Sequence, residues 1–101
     1  MHIMEKVLVV AEIGSNWDCN LYRIQRLIWL AAHSGADMVK FQLFRAASLS
    51  ERRHAPELFS AYHTYELPDA WFGRMERWAK DEGVGLAMSV YDQWGVDTVL
   101  E

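Results

Sequence analysis

Met38-Val39-Lys40-Phe41-Gln42-Leu43-Phe44 is the stretch on which the fold turns. Side chains alternate across a strand, so Val39, Phe41 and Leu43 share one face and Met38, Lys40, Gln42 and Phe44 the other. A face that is wholly apolar asks for helices packed on it. A face that carries an amine and an amide asks for a polar or ligand-bearing space.

Reading back from this strand, Gly35 supplies a natural helix stop, and before it Leu21, Ile24, Leu27, Ile28 and Ala31 recur at helical spacing. Asn20 is placed to cap that helix. Further back, residues 7–11 form a short, mostly β-branched run bounded by Gly14-Ser15-Asn16, which predicts a strand buried on both faces. The order is strand, helix, strand, with a connection long enough for a parallel crossover. The unit is βαβ.

Reading forward, periodicity fades over residues 45–67, where charges, serines and histidines accumulate. This predicts a long loop holding at most a short helical turn near residues 56–60. Pro68 then sits where the first turn of a helix tolerates it, and Trp71, Phe72, Met75, Trp78 and Ala79 make one apolar stripe ending near Gly83. Residues 84–91 read as a third strand, and residues 92–101 begin another helix that ends without a cap. Three strands alternating with helices make a parallel sheet. Both a barrel and a doubly wound sheet satisfy that order. A complete (β/α)8 barrel takes roughly 250 residues, so residues 1–101 would supply only its first three strands.

Composition narrows the partners. The 101 residues are 51% apolar and carry a formal net charge of -4 with signs interspersed, which offers no positive field for nucleic acid or an anionic membrane surface. The apolar runs fall far short of the roughly 20 residues that cross a bilayer. The single cysteine, Cys19, cannot close an internal disulfide, and the first residues lack the pattern of a signal peptide. A reducing, cytoplasmic setting is expected.

Ligand sites in parallel α/β enzymes lie at the carboxyl ends of the strands. Alternation puts Leu8, Val10 and Glu12 on one face of the first strand. Glu12, Lys40 and Gln42 therefore converge at that end on the face away from the helices. A charged amine there needs an anion. Glu12 could be that anion, in a structural ion pair, or a bound substrate could be. In the third strand Gly85, Ala87, Ser89 and Tyr91 share a face that is small until its last two positions, leaving room beneath the Ser89 hydroxyl.

Ala11-Glu12-Ile13-Gly14 followed by Asn16, then Gly35-Ala36-Asp37-Met38-Val39-Lys40-Phe41-Gln42, then Tyr65-Glu66-Leu67 with Trp71, together resemble the N-terminal segment of the sialic acid synthase family. The likeness runs in register through Asp92. It implies the first part of a TIM barrel that condenses phosphoenolpyruvate with an N-acylated aminosugar, typically N-acetylmannosamine, with loss of phosphate. It also implies assistance from a divalent metal, manganese or magnesium. By the same resemblance Glu12 orients the aminosugar, Lys40 binds phosphoenolpyruvate and Gln42 lies on the sugar side. Ser89 stands where the family's third strand carries a threonine, and Asn16 belongs to the substrate-side loop. The family's metal-binding histidines belong to later strands, so His2, His33, His54 and His63 do not inherit that role. The family pattern has histidine and glycine where this chain has Trp17 and Cys19, which makes the first loop bulkier and stiffer.

Two functions follow as expectations. One is a synthase of this type, represented by its N-terminal piece and inactive without the rest. The other is a noncatalytic binding or assembly module, whose exposed sheet edge and aromatic helix faces join a partner chain or a second copy.

Overall fold

The computed structural model describes residues 6–101; His2 lies outside them. Three strands, β1 (Val10–Gly14), β2 (Met38–Leu43) and β3 (Gly85–Val90), form one parallel sheet in the order β1-β2-β3. Between β1 and β2 runs α1 (Leu21–His33). Between β2 and β3 come α2 (Ala46–Leu49), α3 (Pro56–Thr64), a 3-10 turn at Asp69–Trp71 and α4 (Phe72–Asp81), and α5 (Gln93–Leu100) follows β3.

The side-chain oxygen of Asn20 accepts from the backbone N–H groups of Tyr22 and Arg23 at 2.9 and 3.2 Å, the cap expected of it. Helix α1 ends at Ser34, and Gly35 takes the left-handed conformation at φ +95° that lets the chain turn back into β2. The core lies on one side of the sheet. Val39, Phe41 and Leu43 of β2 meet Ile24, Ile28 and Ala31 of α1 and Met75 and Ala79 of α4, all buried. The opposite face of the sheet, bearing Val10, Glu12, Lys40 and Gln42, is left open to different degrees.

Three expectations change. The first strand is not buried on both faces: Val7, Leu8, Val9 and Val10 are 80%, 63%, 52% and 45% exposed, and the strand begins only at Val10. It is an edge strand, and helices cover it on one face alone. Residues 45–67 hold two helices rather than one short turn. Neither shows a strong apolar period because α3 buries no residue fully, so its sequence carries little core signal. Pro68 precedes the 3-10 turn in an extended conformation, with ψ 137°, instead of sitting inside the first helical turn.

Candidate active site

Register sets the site. Glu12 pairs with Lys40 across β1 and β2, and across β2 and β3 Lys40 pairs with Ala87 and Gln42 with Ser89. All four polar side chains thus belong to the face away from the helices. A bulge between Glu12 and Gly14, two residues opposite one, ends the regular ladder of β1. Such bulges re-aim side chains at strand ends. Gly14 sits in it at φ +56°, and a β-carbon there would lie 3.6 Å from Oε1 of Glu12 and 3.7 Å from Nε2 of Gln42. The missing side chain keeps the approach to both groups open.

Lys40 Nζ lies 3.2 Å from Glu12 Oε2, with the two side chains 37% and 51% exposed. The carboxylate of Glu12 is thus in contact with the amine of Lys40. Water reaches both partners, so the pair contributes little to stability, between about 0 and 1 kcal/mol. It opens at small cost to an anion that offers Lys40 more. The hydroxyl of Ser15 donates to Oε1 of Gln42 at 3.0 Å, which fixes the amide. Ser89, half-buried, faces the same space through its register with Gln42. Asn16 is exposed, and its backbone N–H donates to Ile13 O at 3.0 Å. The structure gathers Glu12, Lys40, Gln42 and Ser89 on one face and puts Asn16 on the adjoining loop.

Trp17 turns away from this face. It is 1% exposed and meets Tyr65 and Trp71 edge to face at 5.8 and 5.7 Å, so its bulk goes into the core beneath the first loop. Asp18 and Cys19 both take positive φ, 51° and 54°, where glycine is the easy residue. The Cys19 thiol donates to Thr64 O at 3.4 Å.

Several polar side chains that sequence reasoning left without a role hold the frame of the site. Glu66 accepts from the backbone N–H of Ala46 at 2.6 Å, capping α2, and pairs with His63 at 3.3 Å. Asp37 accepts from Val9 N–H at 2.9 Å and meets Lys6 at 2.8 Å. These contacts, Lys6 first, hold its carboxyl below the usual range. Asp92 accepts from the Ser48 hydroxyl and from Gly95 N–H, joining α2 to the start of α5. Those bonds, with the Arg45 charge nearby, also keep it ionised below the usual range. An acid just before a helix was the available signal for Asp92; its partner on α2 lay 44 residues away.

His54 pairs with Glu51 at 3.1 Å, and His63 belongs to the last turn of α3 rather than to a loop. His33 stacks on Trp29 at 4.0 Å and pairs with Glu82. Among the described residues no three His, Cys, Asp or Glu side chains are grouped to hold a metal ion. The residues present do not make up a metal site, and no chemical step here is assigned to one. A cleft between α1 and α4, lined by Trp29, Trp78 and Arg26 among others, lies on the helical side, away from the strand ends.

Comparisons with known proteins bear on the fold and the family. The spore coat polysaccharide biosynthesis protein SpsE of Bacillus subtilis is 29% identical over 100 residues, covering 90% of this chain and 27% of the relative. Its solved structure superposes with a TM-score of 0.74 at 31% identity, over 93% of this chain and 26% of that one. The N,N'-diacetyllegionaminic acid synthase of Campylobacter jejuni is 51% identical over 43 residues, 43% of this chain and 13% of the relative. A structure of the N-acetylneuraminic acid synthetase of Leptospira borgpetersenii, determined with citrate, matches with a TM-score of 0.87 at 19% identity, over 95% of this chain and 33% of that one. That likeness decides the fold in favour of a barrel: the βαβαβ unit corresponds to the first three strands of a (β/α)8 barrel. The chain spans about 27% of the length of SpsE. The model of the NeuB family matches residues 27–101, from the middle of α1 through α5 and including Lys40, Gln42 and Ser89, and the chain belongs to that family.

Proposed function

We propose that this chain supplies part of the substrate site of a synthase that joins phosphoenolpyruvate to an N-acylated aminosugar; relatives named as synthases of sialic and legionaminic acids support the synthase part of this reading. The observation that carries the reading is the half-exposed Lys40–Glu12 pair at 3.2 Å on the open sheet face. Lys40 offers a cation to the carboxylate or phosphate of phosphoenolpyruvate. When that anion takes Lys40, Glu12 is released to accept from a sugar hydroxyl and orient the acceptor. Gln42 adds an amide on the sugar side, Ser89 a hydroxyl beside it, and Asn16 closes the loop edge.

In the reaction the vinyl carbon of phosphoenolpyruvate forms a bond to the aldehyde carbon of the open-chain sugar. Water adds at the neighbouring carbon, and loss of phosphate leaves a keto acid. Proton transfer to the aldehyde oxygen accompanies the first step. A requirement for manganese or magnesium belongs to the same proposal, with ligands outside residues 1–101. Residues 1–101 alone are proposed to be inactive. A cytoplasmic biosynthetic role belongs to the same proposal; no helix of the described residues is long and apolar enough to cross a membrane.

The test is phosphate release by the natural protein that carries these residues, supplied with phosphoenolpyruvate, manganese or magnesium and N-acetylmannosamine. Release that requires the aminosugar is expected. Its absence with that sugar and with diacylated deoxy analogues would favour the second reading, an assembly module. The exposed apolar residues Val96, Val99 and Leu100 of α5 and residues 7–10 are the observation on that side.

A further inference from the structure

Tyr65-Glu66-Leu67 with Trp71 carries part of the family likeness without a chemical role, and the structure sets this segment against the loops that leave both β1 and β2. Toward the first loop, Trp17 is buried edge to face against Tyr65 and Trp71, and the Cys19 thiol donates to Thr64 O. Toward the second, Oε1 of Glu66 accepts from the backbone N–H of Ala46, the first residue of α2, at 2.6 Å. The first N–H groups of a helix need acceptors from outside it. Arg45, in the cap position, gives no side-chain hydrogen bond, and the acceptor comes instead from a carboxylate 20 residues away. Leu67 is buried, which anchors the segment itself in the core.

What Glu66 holds is the exit of β2. Lys40 is flanked in register by Glu12 and Ala87, so the sheet itself sets its place. The ladder ends at Leu43, one residue after Gln42, and from there the chain takes its direction from α2. Ser48 on α2 donates to Asp92, and the Arg45 guanidinium lies 4.1 Å from the Trp94 ring, so α2 is tied to α5 as well. The Glu66 bond acts at its first residue, next to the strand. We propose that Glu66 is a positioning residue, whose carboxylate seats α2 and thereby fixes the Gln42 end of β2 while leaving Lys40 independent of it. This role rests on the synthase reading, in which Gln42 lies on the aminosugar side and Lys40 meets phosphoenolpyruvate. Without the bond α2 leaves its seat part of the time, and affinity falls with the seated fraction. The loss falls on one substrate and spares the other.

The experiment compares the natural protein with its Glu66→Ala, Glu66→Gln and Ser48→Ala variants. Glutamine keeps an oxygen for Ala46 N–H and gives up only the charge toward His63, 3.3 Å away. Ser48→Ala cuts the tie to Asp92 at an exposed position. The readouts are KM for each substrate from phosphate release, affinity from calorimetric titration with phosphoenolpyruvate and with N-acetylmannosamine, and melting temperature. Glu66→Ala is expected to weaken the aminosugar in both measures by up to roughly fivefold, the equilibrium ratio of one lost helix cap, with phosphoenolpyruvate unchanged. Glu66→Gln should stay near the natural values. If both substrates weaken together, or glutamine behaves like alanine, Glu66 is a general stabilising contact and the inference is overturned. Should Glu66→Ala fail to fold, Ser48→Ala takes its place: a smaller loss confined to the aminosugar upholds the role of α2, and no change or an equal loss for both substrates overturns it. The same selective loss of binding without phosphate release by any of the proteins leaves the positioning role standing and removes the synthase reading. A natural protein that binds neither compound removes both.

Discussion

Nζ of Lys40 and Oε2 of Glu12 stand 3.2 Å apart on adjacent strands, paired in register and both reached by solvent. A pair so exposed is a weak stabiliser, so its two charges remain available to a ligand. The same two residues, placed deep in the core, would be a rigid structural contact.

Lys40→Ala should therefore separate binding from folding. In the natural protein it is expected to lower phosphoenolpyruvate-dependent turnover on the order of 10²-fold, the size usual for loss of one preorganised electrostatic contact. Stability should change by less than about 1 kcal/mol. Steady-state kinetics and denaturant unfolding give the two numbers. A large loss of stability that is restored by neutralising Glu12 as well would mark the pair as structural.

Much of this face was legible because strand alternation is strict. Once Val39, Phe41 and Leu43 were placed against helices, Lys40 and Gln42 had to point the other way. Parallel order brought Glu12 beside Lys40. Asn20 and Gly35 were equally readable, since capping and left-handed turns depend on one residue each. The position of Trp17 was not: a tryptophan in a substrate-side loop reads as an obstacle to the site, and only the placement of Tyr65 and Trp71 shows that a core cavity receives it. Helices α2 and α3 escaped for a related reason. Helix α2 is held by Glu66 and Asp92 through contacts between residues far apart in sequence, and α3 buries no residue fully.

Cys19 occupies a left-handed position, φ 54°, where a side chain crowds its own carbonyl. Glycine removes that cost, which is about 1 to 2 kcal/mol, but adds chain entropy to the unfolded state worth about 0.5 to 1 kcal/mol. The weak thiol bond to Thr64 O is lost as well. Cys19→Gly is expected to stabilise the natural protein by roughly 0.5 kcal/mol, and Cys19→Val to destabilise it, because β-branching is worst tolerated at positive φ. Equilibrium denaturation of the three proteins checks the order. Valine matching cysteine would mean that the loop relaxes out of the left-handed region at no cost.

Asp92 ties pH to the joint between α2 and α5. Its carboxyl is held below the ordinary range by Ser48, by Gly95 N–H and by Arg45, so the folded state binds this proton less readily than the unfolded chain does. The contribution is fully present above the ordinary carboxylate pKa of about 3.9 and fades as pH falls through the lower folded value. Asp92→Asn keeps a capping oxygen but has no proton to gain in this window. The difference in melting temperature between the natural protein and Asp92→Asn should be constant from pH 7 down to about 5 and shrink below about 4. Asp37 titrates in the same direction in both proteins and cancels from the difference. A difference that stays constant to pH 2 would mean that the Ser48 contact does not distinguish the ionised carboxylate.

The exposed apolar surface predicts how residues 1–101 behave when prepared by themselves. Val7 and Leu8 ahead of β1 and Leu100 at the end of α5 are 80%, 63% and 79% exposed. They lie with Val9, Val10, Val96 and Val99 beyond the reach of the buried core. Among the described residues β1 has a strand neighbour on one side only, as does β3, so each offers unpaired backbone groups to another chain. In the barrel relatives that share this fold, further strands continue the sheet. Against association, α1 and α4 cover one side of the sheet completely enough to bury Val39 and Phe41 to 0%, so the segment should retain helix and strand. The expected species is compact, partly ordered and self-associating, with no phosphate release from phosphoenolpyruvate when aminosugar and metal are supplied. Sedimentation velocity over a concentration series, read beside far-ultraviolet circular dichroism, tests the first part and a phosphate assay the second. A monomer that unfolds cooperatively across that series would mean that one covered face is sufficient for this sheet. Aminosugar-dependent phosphate release would place the whole catalytic set within residues 1–101.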